Sequence, residues 1–349
     1  MGILDPSYRF FVNKAGTGAL SFKVEKKVAI VGGDPLCETE TIADLLTEFA
    51  AYRRQHHWGL AFMGVSESFA RNHAQAQGWT TLRFGTERVL NPRTNDVLLG
   101  HSGKRIAVQS RQLLHQQKGG ITIGVYAPAT HGANPQLQTD LVAIYDSWRA
   151  DRNRSGAPQA FITVYDPFSL PALMTFVYTR GPDGRPNGFA ALRRLGTVGY
   201  HVDPCIAMPG SARGISDLLL VAVMGLLNRI GISCLGFGFE PIQEISQEDI
   251  TGMSRPLGRL TRGLYRHMFN RLDIRGKKPY HDKFRPDLPQ DSALYIVIPK
   301  GVSDLQGLLA IMCMANVSLR KVLWADIRAC VPRGRIKSRP RASPGIGGC

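Results

Sequence analysis

Short runs of strand-forming residues alternate with helical patterns along most of the chain, and this alternation restricts the fold more than any other feature of the sequence. Residues 28–31 and 59–64 have the composition of buried strands, and the amphipathic pattern of 39–54 between them has its apolar residues at helical spacing. Strand and helix patterns that follow one another in this way predict a layered α/β fold.

The second half of the chain repeats the layout of the first half. A polar, turn-rich stretch at 151–158 separates the two halves, so we place a domain boundary there and predict modules at 1–155 and 156–302. The predicted elements of the second half are strands at 161–165, 174–180, 188–194, 233–239 and 293–299 and helices at 214–230 and 257–269.

The C-terminal part carries two further patterns. Residues 303–330 have apolar residues at the spacing of one helix face, which predicts an amphipathic helix that either docks on a membrane or caps the second module. Residues 331–349 contain five basic residues and no acidic ones, and this composition predicts a basic disordered tail.

The charge of the chain indicates an anionic partner. The 43 Lys and Arg against 27 Asp and Glu give a formal charge of +16, and the five basic residues of the tail leave +11 on the rest. Nucleic acid, a phospholipid surface and an acidic metabolite all fit this charge.

Neither a secretion signal nor a membrane span is recognisable. The N-terminus has no basic and apolar leader pattern, and the longest apolar run, 218–227, is about half of a span. The six cysteines form no Cys-x-x-Cys pair, and no histidine has a metal-ligand partner at useful spacing, so we expect no metal site. These features predict a cytoplasmic protein that is soluble or peripheral on membranes and not integral.

The segment 251–285 is the most basic part of the chain, with ten Lys and Arg against two Asp. Several of the arginines recur at helical spacing, and aromatic residues stand between them. Such a face suits a phosphate backbone and unpaired bases, although phospholipid headgroups would satisfy the same charge. We predict that it forms a polyanion-binding site, with Arg255, Arg259, Arg262, Arg266, Arg271, Lys277 and Lys278 as the contacting residues.

Two acidic residues stand at positions where α/β proteins carry sites. Asp217 opens an apolar helix, where it either caps the helix or holds an ammonium group in a cleft. Glu240 directly follows a buried strand and precedes Pro241, and strand ends are where ligands bind in such sheets.

Lys283 and Arg285 flank Phe284. If this segment is extended and Phe284 is buried, both cations point to the same side and suit an oxyanion or a phosphate. The alternative is that they only keep a strand edge soluble.

Several common catalytic motifs are absent from the sequence. It contains no Gly-x4-Gly-Lys-Ser/Thr loop and no Gly-x-Ser-x-Gly elbow. The stretch from Arg193 to Gly199 is near a pyrophosphate loop but out of register, which argues against acetyl-CoA as a substrate.

Six short motifs resemble, in order, the catalytic domain of aminoacyl-phosphatidylglycerol synthases, also called DUF2156. The resemblance runs from about residue 5 to residue 300. The motifs are Val31-Gly-Gly-Asp34-Pro35, Phe84-Gly-Thr-Glu87, Asp146-Ser-Trp148, Ser216-Asp217-Leu, Gly236-Phe-Gly-Phe-Glu240-Pro241 and Lys283-Phe284-Arg-Pro286. The resemblance implies a tandem pair of acetyltransferase-like (GNAT) modules that transfer an amino acid from aminoacyl-tRNA to a lipid hydroxyl.

The sequence departs from the bacterial members of that family. It lacks their multi-helix membrane region, and Leu220 stands where they carry an arginine. The stretch around Glu240 to Glu244 is similar to the fungal branch, whose members aminoacylate the 3β-hydroxyl of ergosterol. In that branch the absence of a synthetase domain favours glycine as the transferred residue, and aspartate stays open.

The resemblance also implies roles for individual residues. The basic segment 251–285 would hold the tRNA acceptor end, and a tunnel between the modules would take the sterol or, alternatively, phosphatidylglycerol. Asp217 or Glu240 would receive the α-ammonium group, Lys283 or Arg285 would bind the oxyanion or the terminal phosphate, and His201 would be a possible base. No cofactor besides aminoacyl-tRNA is expected. An acetyl-CoA-dependent acyltransferase and a non-catalytic tRNA- or lipid-binding protein remain as rivals.

Overall fold

The computed structural model describes residues 5–154, 165–196, 199–271 and 276–315. Twelve strands in these ranges join into one sheet. They are β1 Arg9–Val12, β2 Ala19–Glu25, β3 Val28–Gly32, β4 Gly59–Ser66, β5 Thr80–Leu90, β6 Thr122–Tyr126, β7 Met174–Arg180, β8 Pro186–Leu195, β9 Gly199–Ala207, β10 Leu235–Pro241, β11 Ile250–Thr251 and β12 Ser292–Ile298.

Helices cover the faces of this sheet, as an α/β fold requires. Their bounds are α1 Ile42–Gln55, α2 Lys104–Leu114, α3 Pro128–His131, α4 Pro135–Arg154, α5 Ile215–Arg229, α6 Arg255–Arg271, α7 Lys277–Asp282 and α8 Asp304–Met314. One turn of π-helix, Phe69–Gln75, lies between β4 and β5. The predicted α/β class is therefore confirmed.

The strand order joins the two halves of the chain within the sheet. It runs β1-β2-β3-β4-β12-β5-β10-β9-β8-β7-β6, with β11 paired to β5. The last strand, β12, lies between β4 and β5, although the sequence placed it in the second module. Antiparallel pairing of β5 with β10 connects the halves, so residues distant in sequence meet at this seam.

The parallel strands β9 and β10 separate soon after they begin to pair. Their register contains only Leu235 opposite Tyr200 and Gly236 opposite His201. From there β10 keeps its pairing with β5 as far as Pro241. A gap therefore opens between the C-terminal halves of β9 and β10, and we call it the β9–β10 gap.

Helix α5 packs one of the apolar clusters of the second half. Leu218, Leu219 and Val223 on the helix are fully or almost fully buried against strand residues such as Leu192 and Leu235. Because most sides of this helix are apolar, it lies against the sheet instead of on the surface. This burial fixes the position of its first turn, where Asp217 lies.

The predicted elements at 28–31, 59–64, 174–180, 188–194, 214–230, 233–239, 257–269 and 293–299 are confirmed. The strand predicted at 161–165 and the tail predicted at 331–349 lie outside the described residues, apart from Tyr165. Helix α4 continues to Arg154, inside the polar stretch that we took as the boundary, and the limits of the two modules stay a prediction.

The predicted C-terminal helix begins as expected, and α8 forms its described part. Ala310 and Ile311 are buried against Val28, Ile30 and Ile298. Its apolar face packs on strands of the first half and also on β12, which the sequence assigned to the second module, so the suggestion that this helix caps the second module stays a prediction. Among the described helices, none has the length and apolar character needed to cross a membrane.

Candidate functional site

Asp217 and Lys283 form an ion pair at the start of α5. Asp217 is the third residue of the helix and is only 8% exposed, and its side chain caps no backbone group. Lys283 follows the last residue of α7 and is about one third exposed. A buried carboxylate is thus held by an ammonium group that reaches it from the surface, and a second ammonium group can compete for the same position.

Two buried weak acids, the thiol of Cys205 and the phenol of Tyr280, lie near this pair. Cys205 donates a hydrogen bond from its Sγ to the carbonyl oxygen of Ser216 at 3.4 Å. Burial, together with Asp217 and Asp203, raises the pKa of Cys205 to about 12. Burial also raises the pKa of Tyr280 well above its ordinary value, with added effects of Cys205 and Asp217. Both groups stay protonated at neutral pH, so neither is a ready nucleophile.

Lys277 and Asp203 interact electrostatically at the β9–β10 gap. The Nζ atom of Lys277 donates to the carbonyl oxygen of Phe239 at 3.4 Å and lies 5.5 Å from the centroid of that ring. Burial lowers the pKa of Lys277, while Asp203 raises it. Burial raises the pKa of Asp203, opposed by Lys277 and Arg193. Lys277, predicted to contact tRNA, therefore points into the fold.

Glu240 belongs to a buried ionic network that we call the Arg88 network. Arg88 of β5 lies 3.6 Å from Glu240, 3.5 Å from Asp282 and 3.0 Å from Asp291. Glu240 also lies 2.9 Å from Nδ1 of His281, whose pKa is lowered by burial against the opposing effect of Glu240. The network attaches α7 to the seam between β5 and β10.

His201 lies beside Glu87, with 3.8 Å between its Nδ1 atom and the carboxylate. Burial, and secondarily Arg193, lower the pKa of His201 to about 3. The imidazole is therefore neutral at physiological pH. Its Nδ1 atom also lies close to the backbone of Gly236, at one of the last two paired positions of β9 and β10.

This burial predicts a pH-dependent stability. In the unfolded chain His201 is protonated below about pH 6.5, whereas in the folded protein it is protonated only below about pH 3. Because the unfolded state binds this proton more tightly, the free energy of unfolding decreases as the pH falls through this range. We expect His201→Asn to lose about 1 kcal/mol less than the unaltered protein between about pH 7.5 and about pH 5.5. Urea unfolding at both pH values measures this difference, and parallel losses in the two proteins would contradict it.

Arg285 does not share a side with Lys283, so the extended conformation predicted for this segment is wrong. The chain is still helical at Lys283 and then turns to a φ of +52° at Arg285. Asn95 stabilises the turn by donating from Nδ2 to the carbonyl oxygens of Phe284 and Arg285. Phe284, which stands between the two cations in the sequence, is fully buried.

Arg285 instead lines a polar cleft of about 540 Å³. Among the described residues its exposed side chain forms no ion pair, so it is available to an anion. The other lining residues are Arg88, Asn91, Thr94, Asn95, Asp96, Asp282, Pro286, Asp287, Leu288 and Pro289.

The predicted tRNA-binding arginines lie on α6. Arg255 and Arg259 are exposed, Arg262 is half-buried, and Arg266 pairs with Glu244. Met268 and Phe269 anchor the C-terminal end of α6 in an apolar cluster with Ala315. The side chain of Arg271 is outside the described residues, and Lys278 is a surface residue that pairs with Asp282 at 3.1 Å.

Sequence reasoning missed Arg88, Asp203 and Tyr280. Arg88 carried only a weak signal, because the same strand also contains the charged residues Arg83 and Glu87. No cluster of three or more His, Cys, Asp or Glu side chains with metal-binding geometry occurs within the described ranges.

Known proteins share both the sequence pattern and the fold. A family model described as "Phosphatidylglycerol lysyltransferase, C-terminal" matches residues 1–296. The "Lysylphosphatidylglycerol biosynthesis bifunctional protein LysX" of Rhodococcus jostii is 24% identical over 250 residues, which are 72% of this chain and 22% of that protein. The chain thus spans about a fifth of the length of this relative.

Two solved structures superimpose on most of the chain. L-PGS from Bacillus licheniformis has a TM-score of 0.67 at 16% identity, and 90% of each chain is covered. The C-terminal domain (DUF2156) of a lysylphosphatidylglycerol synthetase from Agrobacterium fabrum has a TM-score of 0.66 at 18% identity, covering 90% of this chain and 91% of that one. At these identities the likeness shows the fold. With the family match, it establishes that the chain belongs to the family of phosphatidylglycerol lysyltransferase C-terminal domains.

Proposed function

We propose that the protein transfers an aminoacyl group from aminoacyl-tRNA to a hydroxyl group of phosphatidylglycerol. The observation that carries the proposal is the partly exposed pair of Asp217 and Lys283 in a chain of this family. It provides a buried anion for the α-ammonium group of the donor and a cation for the ester. Phosphatidylglycerol takes precedence over ergosterol as acceptor, because the relatives' names refer to the phospholipid.

The reaction exchanges one ester for another. The lipid hydroxyl oxygen attacks the aminoacyl carbonyl carbon, the ribose oxygen of tRNA leaves, and the hydroxyl proton ends on that oxygen. No ATP and no further cofactor are needed at this step. Catalysis then rests on positioning the two substrates and on stabilising one oxyanion.

The ion pair gives a sequence of events at the site. The α-ammonium group of the donor replaces Lys283 at Asp217, and the released Nζ atom of Lys283 turns to the ester carbonyl. The transition state gains a cation that the resting protein holds elsewhere. Because Glu240 is already engaged by Arg88 and His281, we assign the ammonium site to Asp217 and a positioning role to Glu240.

The tRNA would lie along the basic face of α6, and Arg285 suits its terminal phosphate, being exposed and free of ion pairs among the described residues. The acceptor lipid would place the protein at the cytoplasmic side of a membrane or on lipid droplets, as a peripheral protein. These assignments of partner and location rest on charge and on the family.

A transfer assay tests the proposal. Purified protein is mixed with tRNA charged with radiolabelled lysine, glycine, alanine or aspartate, and phosphatidylglycerol or ergosterol is supplied in detergent micelles. Thin-layer chromatography then separates the lipids. Labelled phosphatidylglycerol is the expected product, whereas labelled sterol would replace the proposed acceptor, and no labelled lipid with intact tRNA binding would support the non-catalytic rival.

The α6 arginines predict a measurable effect on tRNA affinity. We expect the double variant Arg255→Gln with Arg259→Gln to weaken binding of aminoacyl-tRNA by about tenfold and to reduce its salt dependence, because each arginine replaces counterions on the phosphate backbone. The rate at saturating tRNA should change little.

Filter binding at two salt concentrations measures this change. The matched control is Arg54→Gln with Arg229→Gln, which removes the same charge from exposed positions on α1 and α5. If both double variants weaken binding equally, the charge of the whole protein and not α6 attracts the tRNA.

A further inference from the structure

Lys277 occupies an unusual place for a lysine. It opens α7, yet its Nζ atom reaches the β9–β10 gap and donates to the carbonyl oxygen of Phe239 at 3.4 Å. An ammonium group has three N–H donors, so one long hydrogen bond leaves it incompletely satisfied. Within the described ranges Lys277 forms no ion pair. Asp203 raises its pKa electrostatically but does not lie at salt-bridge distance.

The gap adjoins the site of Asp217 and Lys283. Cys205 lies between the gap and this ion pair. Its Sγ atom donates a hydrogen bond to the carbonyl oxygen of Ser216, one residue before Asp217. Asp203 and Asp217 both contribute to the raised pKa of its thiol. Cys205 and Asp217 also contribute to the raised pKa of Tyr280, which lies one turn after Lys277 on α7. Because the backbone of Ser216 is hydrogen-bonded to Cys205 of β9, a donor ester whose ammonium group is held at Asp217 would lie against β9, on the side of the gap.

We propose that Lys277 is a catalytic residue of the transfer and accepts the proton of the attacking lipid hydroxyl. This inference rests on the proposed function. The neutral amine takes the proton as the new carbon–oxygen bond forms, and the resulting ammonium group returns it to the ribose oxygen as the old ester bond breaks. One proton moves from lipid to tRNA, and Lys277 ends as it began.

The groups around Lys277 set the pH range of this role. Burial lowers its pKa, Arg152 of α4 adds to the decrease, and Asp203 of β9 opposes it. His281 on α7 also faces Lys277. A base that loses its proton more readily than an ordinary lysine predicts a rate that rises with pH and levels off once the amine is neutral.

The test compares two variants with the unaltered protein in the phosphatidylglycerol transfer assay across pH. Lys277→Arg keeps a cation at the gap but cannot deprotonate, and it should lose at least about 10²-fold in rate together with the rising limb of the pH profile. Lys277→Ala should lose a similar factor and regain activity when propylamine is added. The control is Lys118→Arg, at an exposed position after α2.

Three results would contradict the proposed role of Lys277, each in a different way. Retained activity and an unchanged profile in Lys277→Arg would overturn the role of Lys277 while leaving the proposed function intact. Loss of activity in Lys277→Ala without rescue by propylamine would reduce Lys277 to a structural partner of Phe239. No transfer by the unaltered protein would remove the proposed function, and this role with it.

Discussion

Replacing Asp217 by asparagine is expected to lower the aminoacyl-transfer rate by at least about 10²-fold, the scale of losing one group that stabilises the transition state. Asparagine preserves the shape of the side chain but removes the charge that holds the α-ammonium group. Lys283→Ala should cost a similar factor, because it removes the cation proposed for the oxyanion. Rates at saturating lipid and tRNA measure both effects.

A matched control separates this loss from effects on the helix. Asp44 is the third residue of α1, as Asp217 is of α5, but it is exposed. Asp44→Asn changes the same interaction with the helix dipole, worth about 0.3–1 kcal/mol, and should leave the transfer rate unchanged. An equal loss in both variants would mean that Asp217 only stabilises its helix.

The donor can also be changed instead of the protein. Aminoacyl-tRNA acetylated on its α-amino group carries no α-ammonium group, so the unaltered protein should transfer it far more slowly than the free amine. Asp217→Asn should no longer distinguish the two donors. If the variant keeps the full preference for the free amine, Asp217 merely orients Lys283 and another residue binds the ammonium group.

The sequence located the elements of the site better than their contacts. Asp217 was identified because an acidic residue at the start of an apolar helix is a local pattern. Its pairing with Lys283 was not predicted, because Lys283 directly follows α7, a short helix that sequence periodicity did not separate from the extended segment expected around Phe284. The backbone turns between Lys283 and Arg285, so the two side chains point in different directions. Two cations on either side of a Phe do not reveal such a turn in the sequence.

The contacts of Lys277 and Glu240 could not be predicted from the sequence either. Both were assigned to ligands from charge and position, yet each has partners that only the sheet brings together. The gap that receives Lys277 exists because β9 and β10 separate, and Glu240 meets Arg88 because β5 pairs with β10. Such pairings join distant parts of the chain and leave no periodicity to find.

The largest effect on stability is expected from Arg88. Arg88→Met removes the cation that Glu240 and Asp291 share, and the side chains of these two acids are each only 9% exposed. Leaving buried charges without a partner costs about 3–5 kcal/mol. Thermal unfolding should therefore show a decrease in Tm of about 4–7 °C for a chain of this length. The loss should shrink in acid, because burial raises the pKa of Asp291 and its protonation removes an uncompensated charge.

Glu240→Gln distinguishes the positioning role of Glu240 from direct binding of the donor. The amide still contacts His281, and Arg88 keeps Asp282 and Asp291, so this variant should be destabilised much less than Arg88→Met. If Glu240 only positions α7, the transfer rate should fall in proportion to the loss of stability in both variants. A stable Glu240→Gln protein with a rate at least about 10²-fold lower would instead show that Glu240 binds the ammonium group itself.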